Sequence, residues 1–283
     1  MAGFFGMGNY NKAGSGIAKD NQSKGRLKLF FEILGVRIWK LFALNLIYLI
    51  ACIPVVTVGP ATAGMIKVLK NYSIDKNAYV WLDFIESYKK NFFKALVIGI
   101  VDLIAYFGLI SGYFIYSTLA LDPERTSTIY YVLFIVTISV GFMFTIMNYY
   151  IYLMLVSTDL SVKNIVKNAV ALTFLSPKNN GIALLSNIIL PIMMFLLIKL
   201  NLQFFIFLFI FPASFIGFIV CFCCYPVVQK YVINPYYESR GEQNPESPVI
   251  VNNEDEDVIF EDMGGKEKPV EIKKKSRKGK IIS

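Results

Sequence analysis

Long uncharged apolar stretches constrain the fold of this chain more than any other feature. Five stretches of 19 to 33 residues contain no Asp, Glu, Lys or Arg. They cover residues 41–66, 103–121, 126–158, 179–198 and 200–229. A membrane-spanning helix needs about 20 predominantly apolar residues. Because only 17% of the chain is charged, against about 25% in soluble domains, the sequence predicts an all-α, polytopic transmembrane helix bundle. A soluble enzyme, a disulfide scaffold and a fully disordered chain are excluded.

Prolines and small residues interrupt the first of these stretches. Pro54 ends the first span, and Pro60 suits the first turn of a new helix. Small side chains allow close approach of neighbouring backbones, and irregular backbone is tolerated at membrane depth only where protein buries it or a cavity lies beside it. Residues 54–69 are therefore predicted to form a tight break followed by a short return helix, with an extracytoplasmic loop as the alternative. The candidate packing residues are Pro54, Gly59, Pro60, Ala61, Thr62 and Gly64.

The distribution of basic residues predicts the topology. If the N-terminus lies inside and residues 54–69 cross back, 26 of the 28 basic residues face the cytoplasm, and only Arg125 and Lys199 lie outside. This agreement with the positive-inside rule favours about six crossings of a plasma membrane, with both termini cytoplasmic. Lys and Arg flank apolar spans and do not form a face with aromatic stacking positions, so membrane lipid is the expected partner and nucleic acid is not.

Composition divides the chain into three regions. Residues 1–25 are rich in Gly, Asn, Lys and Ser and are predicted to form a polar N-terminal tail. Residues 26–237 hold the apolar stretches and form the predicted transmembrane helical domain. Residues 238–283 contain acidic and basic runs and several prolines, with little apolar periodicity. That composition predicts a disordered, charged cytoplasmic tail.

A few polar residues lie within the predicted spans. Asp102 is the one acidic residue set into a span, and carboxylates at such depth are costly and often functional. Its position near the cytoplasmic end leaves water or Lys94 as ordinary partners. Interhelical hydrogen bonds are expected for Asn45, Asn148 and Asn187, with a polar substrate path as the alternative. Tyr149, Tyr150 and Tyr152 are predicted to belong to an aromatic belt at the membrane interface.

Two amphipathic segments, 81–94 and 159–175, are expected on the cytoplasmic side. Each combines apolar residues on one side with charged residues on the other. A Lys-Asn-apolar-apolar-Lys pattern follows an acidic residue in both segments, at a constant offset of 73 residues. A duplication would give two equivalent helices, and shared interfacial composition is the alternative. The candidate partner-contact residues are Lys90, Lys94, Lys163 and Lys167.

No residue constellation in the sequence indicates catalysis. The chain lacks histidine, which is the commonest general base and metal ligand, and its four cysteines lie in uncharged apolar stretches. No nucleotide-binding loop or pair of catalytic carboxylates is present. We therefore expect a protein that is not an enzyme, with no catalytic, cofactor-binding or metal-binding residues.

The run Ile53–Gly64, IPVVTVGPATAG, resembles the YesL-like family of bacterial integral membrane proteins, a domain family of unknown function. The resemblance extends over residues 26–235 and includes the Asp83-Phe84 stretch and the Asp159-Leu160-Ser161 loop. It implies a polytopic plasma-membrane protein of a kind often encoded beside carbohydrate-uptake and polysaccharide-degradation genes. It supplies no catalytic residues.

Two functions follow from this resemblance. The first is an accessory protein of oligosaccharide uptake or utilisation that acts by partner contact, with sugar-transporter subunits as partners. The alternative is a divergent membrane subunit of a sugar transporter. The chain departs from the cytoplasmic motif of ordinary ATP-driven permeases, because Asn168-Ala169-Val170 lacks the acidic residue and Phe174 stands in the glycine position. That departure favours the accessory role.

Overall fold

The computed structural model describes residues 26–122, 127–206, 212–242 and 244–246, and these described residues belong to one compact unit. Its described residues form helices joined by short turns and contain no strand, which confirms the predicted all-α bundle. The helices are α1 (Arg26–Ala51), α2 (Val58–Ser73), α3 (Val80–Lys90), α4 (Phe92–Leu121), α5 (Thr128–Ser157), α6 (Val162–Leu175), α7 (Pro177–Leu200), α8 (Pro212–Val228) and α9 (Asn234–Glu238). A π-helical turn, Gln229–Ile233, joins α8 to α9, and 3₁₀ turns lie at Val55–Thr57 and Leu202–Ile206.

Within the described residues, five helical segments are long and apolar enough to cross a membrane. They are α1, α4, α5, α7 and the continuous segment Pro212–Glu238. Large apolar side chains remain exposed on the outer faces of α4, as shown by Phe93 at 80% and Phe107 at 75% exposure. A bundle whose outward faces are this apolar is suited to lipid, so the chain is a multi-pass membrane protein. The helix α2 has only 16 residues, and the six-crossing topology stays a prediction.

The short helix α2 lies at the centre of the bundle. It packs against α1, α3, α4, α5 and α8, and nearly all its residues from Gly59 to Ser73 are buried. The 3₁₀ turn Val55–Thr57 separates it from α1, and Pro60 lies in its first turn. The predicted break followed by a short helix is therefore confirmed, and the loop alternative is excluded.

The two copies of the repeated pattern do not form equivalent helices, which favours shared interfacial composition over a duplication. In the first copy of the repeated pattern, Lys90 ends α3, Asn91 lies between helices and Lys94 belongs to the first turn of α4. In the second copy, Lys163 and Lys167 both lie within α6. In the first pattern one helix ends at Lys90 and the next begins at Phe92, whereas in the second pattern α6 runs through Asn164 and ends only at Leu175, before Ser176-Pro177. The shared residues therefore reflect similar composition at two different structural positions.

The predicted boundary at residue 238 is also wrong. The chain turns at Gly241, which has a φ of 68°, and residues 244–246 return to the bundle. There Glu246 forms an ion pair with Lys70 at 2.6 Å. A buried ammonium group needs an anionic partner, and this requirement attaches the start of the presumed tail to the helical unit. The predictions for residues 1–25 and 247–283 lie outside the described residues.

Candidate functional site

A pair of glycines brings α2 and α4 into close contact. A Cβ atom on Gly59 would lie 2.9 Å from the Cα atom of Gly99 and would collide with the carbonyl oxygen of Ala95. A Cβ atom on Gly99 would lie 2.7 Å from the Cα atom of Gly59. Any larger residue at either position would force the two backbones apart. This crossing forms one edge of the cavity described below, because Gly99 lines it.

The other candidate packing residues surround this crossing. Pro60 and Ala61 are buried, whereas Pro54 is exposed before the 3₁₀ turn. A Cβ atom on Gly64 would lie 3.0 Å from the ring of Phe84, so α3 packs closely there. The Thr62 hydroxyl donates a hydrogen bond to the carbonyl oxygen of Val58 at 2.8 Å. These contacts place the small residues of α2 at helix–helix interfaces.

A cavity of about 420 Å³ lies between α2, α4, α5 and α8. Its polar wall comes mainly from α4 and α5: Asp102, Tyr106, Asn148, Tyr149 and Tyr152. Its apolar wall comes mainly from α2 and α8: Val58, Met65, Ile66, Ala213, Ile216 and Val220. Tyr48 of α1 and Asn187 of α7 complete the polar lining. The cavity therefore has one polar side and one apolar side.

Asp102 is the charged residue of this lining. The hydroxyl of Tyr152 donates a hydrogen bond to its Oδ2 atom at 2.9 Å. Lys94, the ordinary partner considered for it, instead donates to the carbonyl oxygen of Leu160 at 3.3 Å. Among the described residues that line the cavity, none is Lys or Arg. The carboxylate thus faces the cavity without a cationic side chain of its own.

The three predicted interhelical asparagines behave differently. Asn45 Oδ1 accepts hydrogen bonds from the backbone N–H groups of Ala213 and Ser214, at 3.1 and 3.2 Å, and so caps the start of α8. The amide of Asn187 donates to the hydroxyl of Tyr149. These two predictions are confirmed. Asn148 is only 7% exposed, yet its amide nitrogen and oxygen form no hydrogen bond within the described part of the chain. Its amide lies beside Asp102 and Tyr106 of α4, so the predicted interhelical contact is present, but without a hydrogen bond of ordinary geometry.

The predicted interfacial belt of tyrosines is wrong. Tyr150 and Tyr152 are buried, and Tyr149 is partly buried in the bundle. The hydroxyl of Tyr150 donates to the side-chain oxygen of Asn180, and the other two bind Asn187 and Asp102. Polar partners on neighbouring helices hold these hydroxyls inside the bundle, where an unpaired hydroxyl would be costly.

A spacing signal for the polar wall was present in the sequence. Asp102 and Tyr106 are four residues apart on α4, and Asn148 and Tyr152 are four residues apart on α5. Residues at this spacing share a helix face. Two polar pairs on two apolar spans therefore indicate facing polar surfaces, which the structure brings together at the cavity.

A second carboxylate site lies where residue 246 meets α2 and α8. Glu246 accepts from Lys70 Nζ at 2.6 Å and from the hydroxyl of Tyr225, and Lys76 Nζ lies 3.9 Å away. Lys70 is only 1% exposed. Burial alone would raise the pKa of Glu246, but hydrogen bonds from Lys70 and Tyr225 and the nearby positive charges outweigh burial and lower it. At this site the Glu246 carboxylate therefore has a cationic partner, the ammonium group of Lys70.

The four candidate lysines are exposed at the surface formed by α3, α6 and the start of α4. Lys90 Nζ lies 3.9 Å from Asp159 Oδ1, and both side chains are largely exposed. Lys94 binds the backbone of Leu160 in the same loop. Lys163 and Lys167 follow this loop on α6 and are exposed. We call these four residues with the 158–161 loop the lysine surface.

A comparison with known families matches part of the chain. A family model described as "Protein of unknown function, DUF624" matches residues 41–113. The match begins in α1, includes all of α2 and α3, and ends in α4 beyond Asp102. No curated protein and no solved structure matches the chain. The matched segment contains the Pro–Gly run on which the YesL-like resemblance rests. Over residues 41–113 this multi-pass membrane protein is similar to the DUF624 family, whose function is unknown.

Proposed function

We propose that the chain is an accessory membrane protein of carbohydrate uptake or utilisation that acts by partner contact rather than by catalysis. The observation that carries the contact role is the lysine surface, where α3, the start of α4 and α6 present exposed basic residues. The carbohydrate context comes from the YesL-like resemblance alone, and a shared family is an associational argument for function.

The charges of the lysine surface contribute little to the fold. An exposed ion pair such as Lys90–Asp159 stabilises a protein by about 0–1 kcal/mol. These charges therefore remain available to a partner with an acidic cytoplasmic segment. Exposed apolar side chains on the same two helices include Trp81, Leu82 and Phe174, at 60%, 64% and 66% exposure. Helices of this kind lie at a membrane surface and present their polar face to a cytoplasmic protein. Sugar-transporter subunits are the proposed partners.

Charge reversal tests this proposal. We would delete the gene and measure growth on plant-derived oligosaccharides and polysaccharides after complementation. Reversal of Lys90, Lys94, Lys163 and Lys167 to Glu is expected to abolish complementation and copurification of transporter subunits while the protein remains in the membrane. The matched control reverses four other exposed lysines: Lys28, Lys40, Lys178 and Lys230. The proposal fails if deletion causes no glycan growth defect, or if the first variant restores growth fully.

A second candidate is a divergent membrane subunit of a sugar transporter; the polar wall of the cavity supports it, whereas the apolar wall suits a sugar poorly. Polar groups that converge in a cavity among spanning helices are typical of solute sites. Under this alternative, Asn148→Leu changes the KM or the preference for the transported sugar. Under the accessory role, the same variant leaves the KM unchanged, and reversal of the lysine surface lowers only the maximal uptake rate.

The proposed topology has six crossings of the plasma membrane and cytoplasmic termini. Reporters placed after Tyr72, Asp122 and Ser176 are expected to read inside, outside and inside, and a reporter after Ser283 is expected to read inside. An outside signal after Tyr72 would contradict a crossing by α2. The reversed-charge variants would carry the same reporters, because Lys and Arg near span ends set orientation.

A further inference from the structure

We propose that the cavity between α2, α4, α5 and α8 binds the ammonium group of an organic amine, with Asp102 as its anionic partner. The inference is independent of the lysine surface. It rests on the charge of the described lining, on the unpaired amide of Asn148, and on the division of the cavity into a polar and an apolar wall.

The negative charge of Asp102 in the described lining favours a bound cation. The polar neighbours of Asp102 are neutral: the hydroxyl of Tyr152 donates to it and the amide of Asn148 lies beside it. No Lys or Arg is among the described residues around the cavity. A carboxylate removed from water is stable only when a cation or several donors compensate it. Glu246 meets this need with Lys70. For Asp102, a bound ammonium group would supply the missing positive charge.

The amide of Asn148 independently indicates a ligand. It is 7% exposed, lines the cavity and forms no hydrogen bond within the described residues. Unpaired polar atoms in such positions are rare because burial removes their water partners without replacement. Asn148 lies beside Asp102 and Tyr106. An ammonium group has three N–H donors, so it can bind Asp102 and also give Asn148 Oδ1 a partner.

The aromatic and apolar walls define the rest of the ligand. Four tyrosines line the cavity, and aromatic rings attract organic cations: Tyr48, Tyr106, Tyr149 and Tyr152. The apolar wall would leave the hydroxyl groups of a polyol without hydrogen-bond partners, because it includes Met65, Ile66, Ile216 and Val220. A bare metal ion would not use this apolar wall. An amine with a compact alkyl portion matches both walls, and about 420 Å³ is within the usual size of ligand cavities.

Two sources offer this chemistry, a membrane lipid with a primary-amine headgroup and a small free amine. Both place an ammonium group next to apolar carbon. The inference concerns the shared group, and the experiment separates the two sources.

The direct test is binding of hexylammonium to the purified full chain in an uncharged polyoxyethylene detergent. Binding would be measured by equilibrium dialysis of the labelled amine, with protein-free micelles to correct for partition. We expect saturable binding at one site. Hexanol, which has the same alkyl portion but no charge, is expected to bind at least about tenfold more weakly. Equal binding of hexanol, or competition by maltose at the same concentration, would overturn the proposal.

Three variants locate the site. Asp102→Asn keeps the shape of the side chain, removes its charge and is expected to weaken hexylammonium binding at least about tenfold. Asp159→Asn makes the same change at an exposed carboxylate and is expected to leave binding unchanged. Asn148→Leu is expected to weaken binding and to raise the melting temperature of the ligand-free protein, because it removes an unpaired buried amide. Wild-type binding by Asp102→Asn would overturn the proposal, and so would wild-type binding by Asn148→Leu.

Lipid analysis identifies the source of the amine. We would purify the wild type and Asp102→Asn from membranes and quantify retained lipids by mass spectrometry. Enrichment of an ethanolamine lipid in the wild type alone identifies the lipid headgroup. Equal lipid contents, together with hexylammonium binding that requires Asp102, identify a small free amine.

Discussion

Asp102 and Glu246 are both bound by a tyrosine hydroxyl, but they differ in whether a cationic side chain also binds them. Asp102 accepts a hydrogen bond from Tyr152, and Glu246 accepts one from Tyr225. Glu246 also forms an ion pair with the buried Lys70. Asp102 lines a cavity whose described residues include no Lys or Arg. The comparison distinguishes a carboxylate that completes the fold from one that remains available to a ligand.

The difference follows from where each carboxylate lies. Glu246 belongs to a segment that returns to the end of α2 and can meet a lysine that would otherwise be buried alone. Asp102 lies within α4, and the neighbouring helices bring it only neutral groups. We therefore expect substitutions at Glu246 to change stability, and substitutions at Asp102 to change binding.

The largest effect is expected where the wall of the cavity depends on backbone contact. Gly59→Ala places a Cβ atom against the backbone of Ala95 and Gly99, so α2 must move away from α4. We expect a loss of about 3 kcal/mol in stability, measured as a lower melting temperature and a lower yield of monodisperse protein. Gly108→Ala is the control, since its Cβ atom would have no neighbour within 4 Å. Equal yields of the two variants would contradict the close crossing.

The ion pair at Glu246 should give the next effect. Glu246→Ala leaves the ammonium group of Lys70 buried without its charged hydrogen-bond partner, at a cost of about 2 kcal/mol. Glu242→Ala, an exposed acidic residue of the same segment, is the control. The double variant Lys70→Met, Glu246→Ala is expected to recover most of the loss, because no buried charge remains. Additive losses in this cycle of melting temperatures would show that the pair is not coupled.

Lowering the pH should remove the stability that the Glu246 carboxylate contributes. Lys70 and Tyr225 hold the pKa of Glu246 below its ordinary value of 4.5, although burial alone would raise it. The stability from this carboxylate is therefore fully present above pH 4.5 and is lost as pH falls through the lower pKa of the folded state. The difference in melting temperature between the wild type and Glu246→Gln should be constant from neutral pH to about 4.5 and should shrink below it. A difference that shrinks already above this value would contradict the lowered pKa.

The smallest effect concerns the neutral partner of Asp102. Tyr152→Phe removes one hydrogen bond and should lower stability by about 1 kcal/mol in thermal unfolding. Tyr113→Phe, on the exposed part of α4, should have no measurable effect. A loss at Tyr152 as large as that of Glu246→Ala would mean that Asp102 is a structural carboxylate after all.

Local features of the sequence predicted the bundle and its interruption. Uncharged length marks the spans, and Pro54, Pro60 and the small residues near them mark a break that depends on chain geometry alone. The partners of Lys70 and Asn148 depend on tertiary structure. Lys70 and Glu246 are 176 residues apart, and no local pattern pairs them. The missing partner of Asn148 is a property of three helices together, so its sequence context predicted an ordinary hydrogen bond.

The repeated Lys-Asn-apolar-apolar-Lys pattern shows a different limit of sequence analysis: a local pattern can be too short to locate the ends of helices. The repeat left open whether two equivalent helices exist, and the structure places the helix boundary inside one copy and beyond the other. A short match in interfacial composition carries little information on where a helix ends. The spacing of Asp102 with Tyr106, and of Asn148 with Tyr152, was more informative because it refers to a helix face.

The response of the melting temperature to hexylammonium tests the distinction between the two carboxylates most directly. The wild type, Asp102→Asn and Glu246→Gln would be unfolded with and without the amine in the same uncharged detergent. Since a ligand that binds only the folded state stabilises it, we expect the amine to raise the melting temperature of the wild type and of Glu246→Gln equally, and to leave that of Asp102→Asn unchanged. An equal rise in Asp102→Asn, or a rise that Glu246→Gln abolishes, would contradict the account.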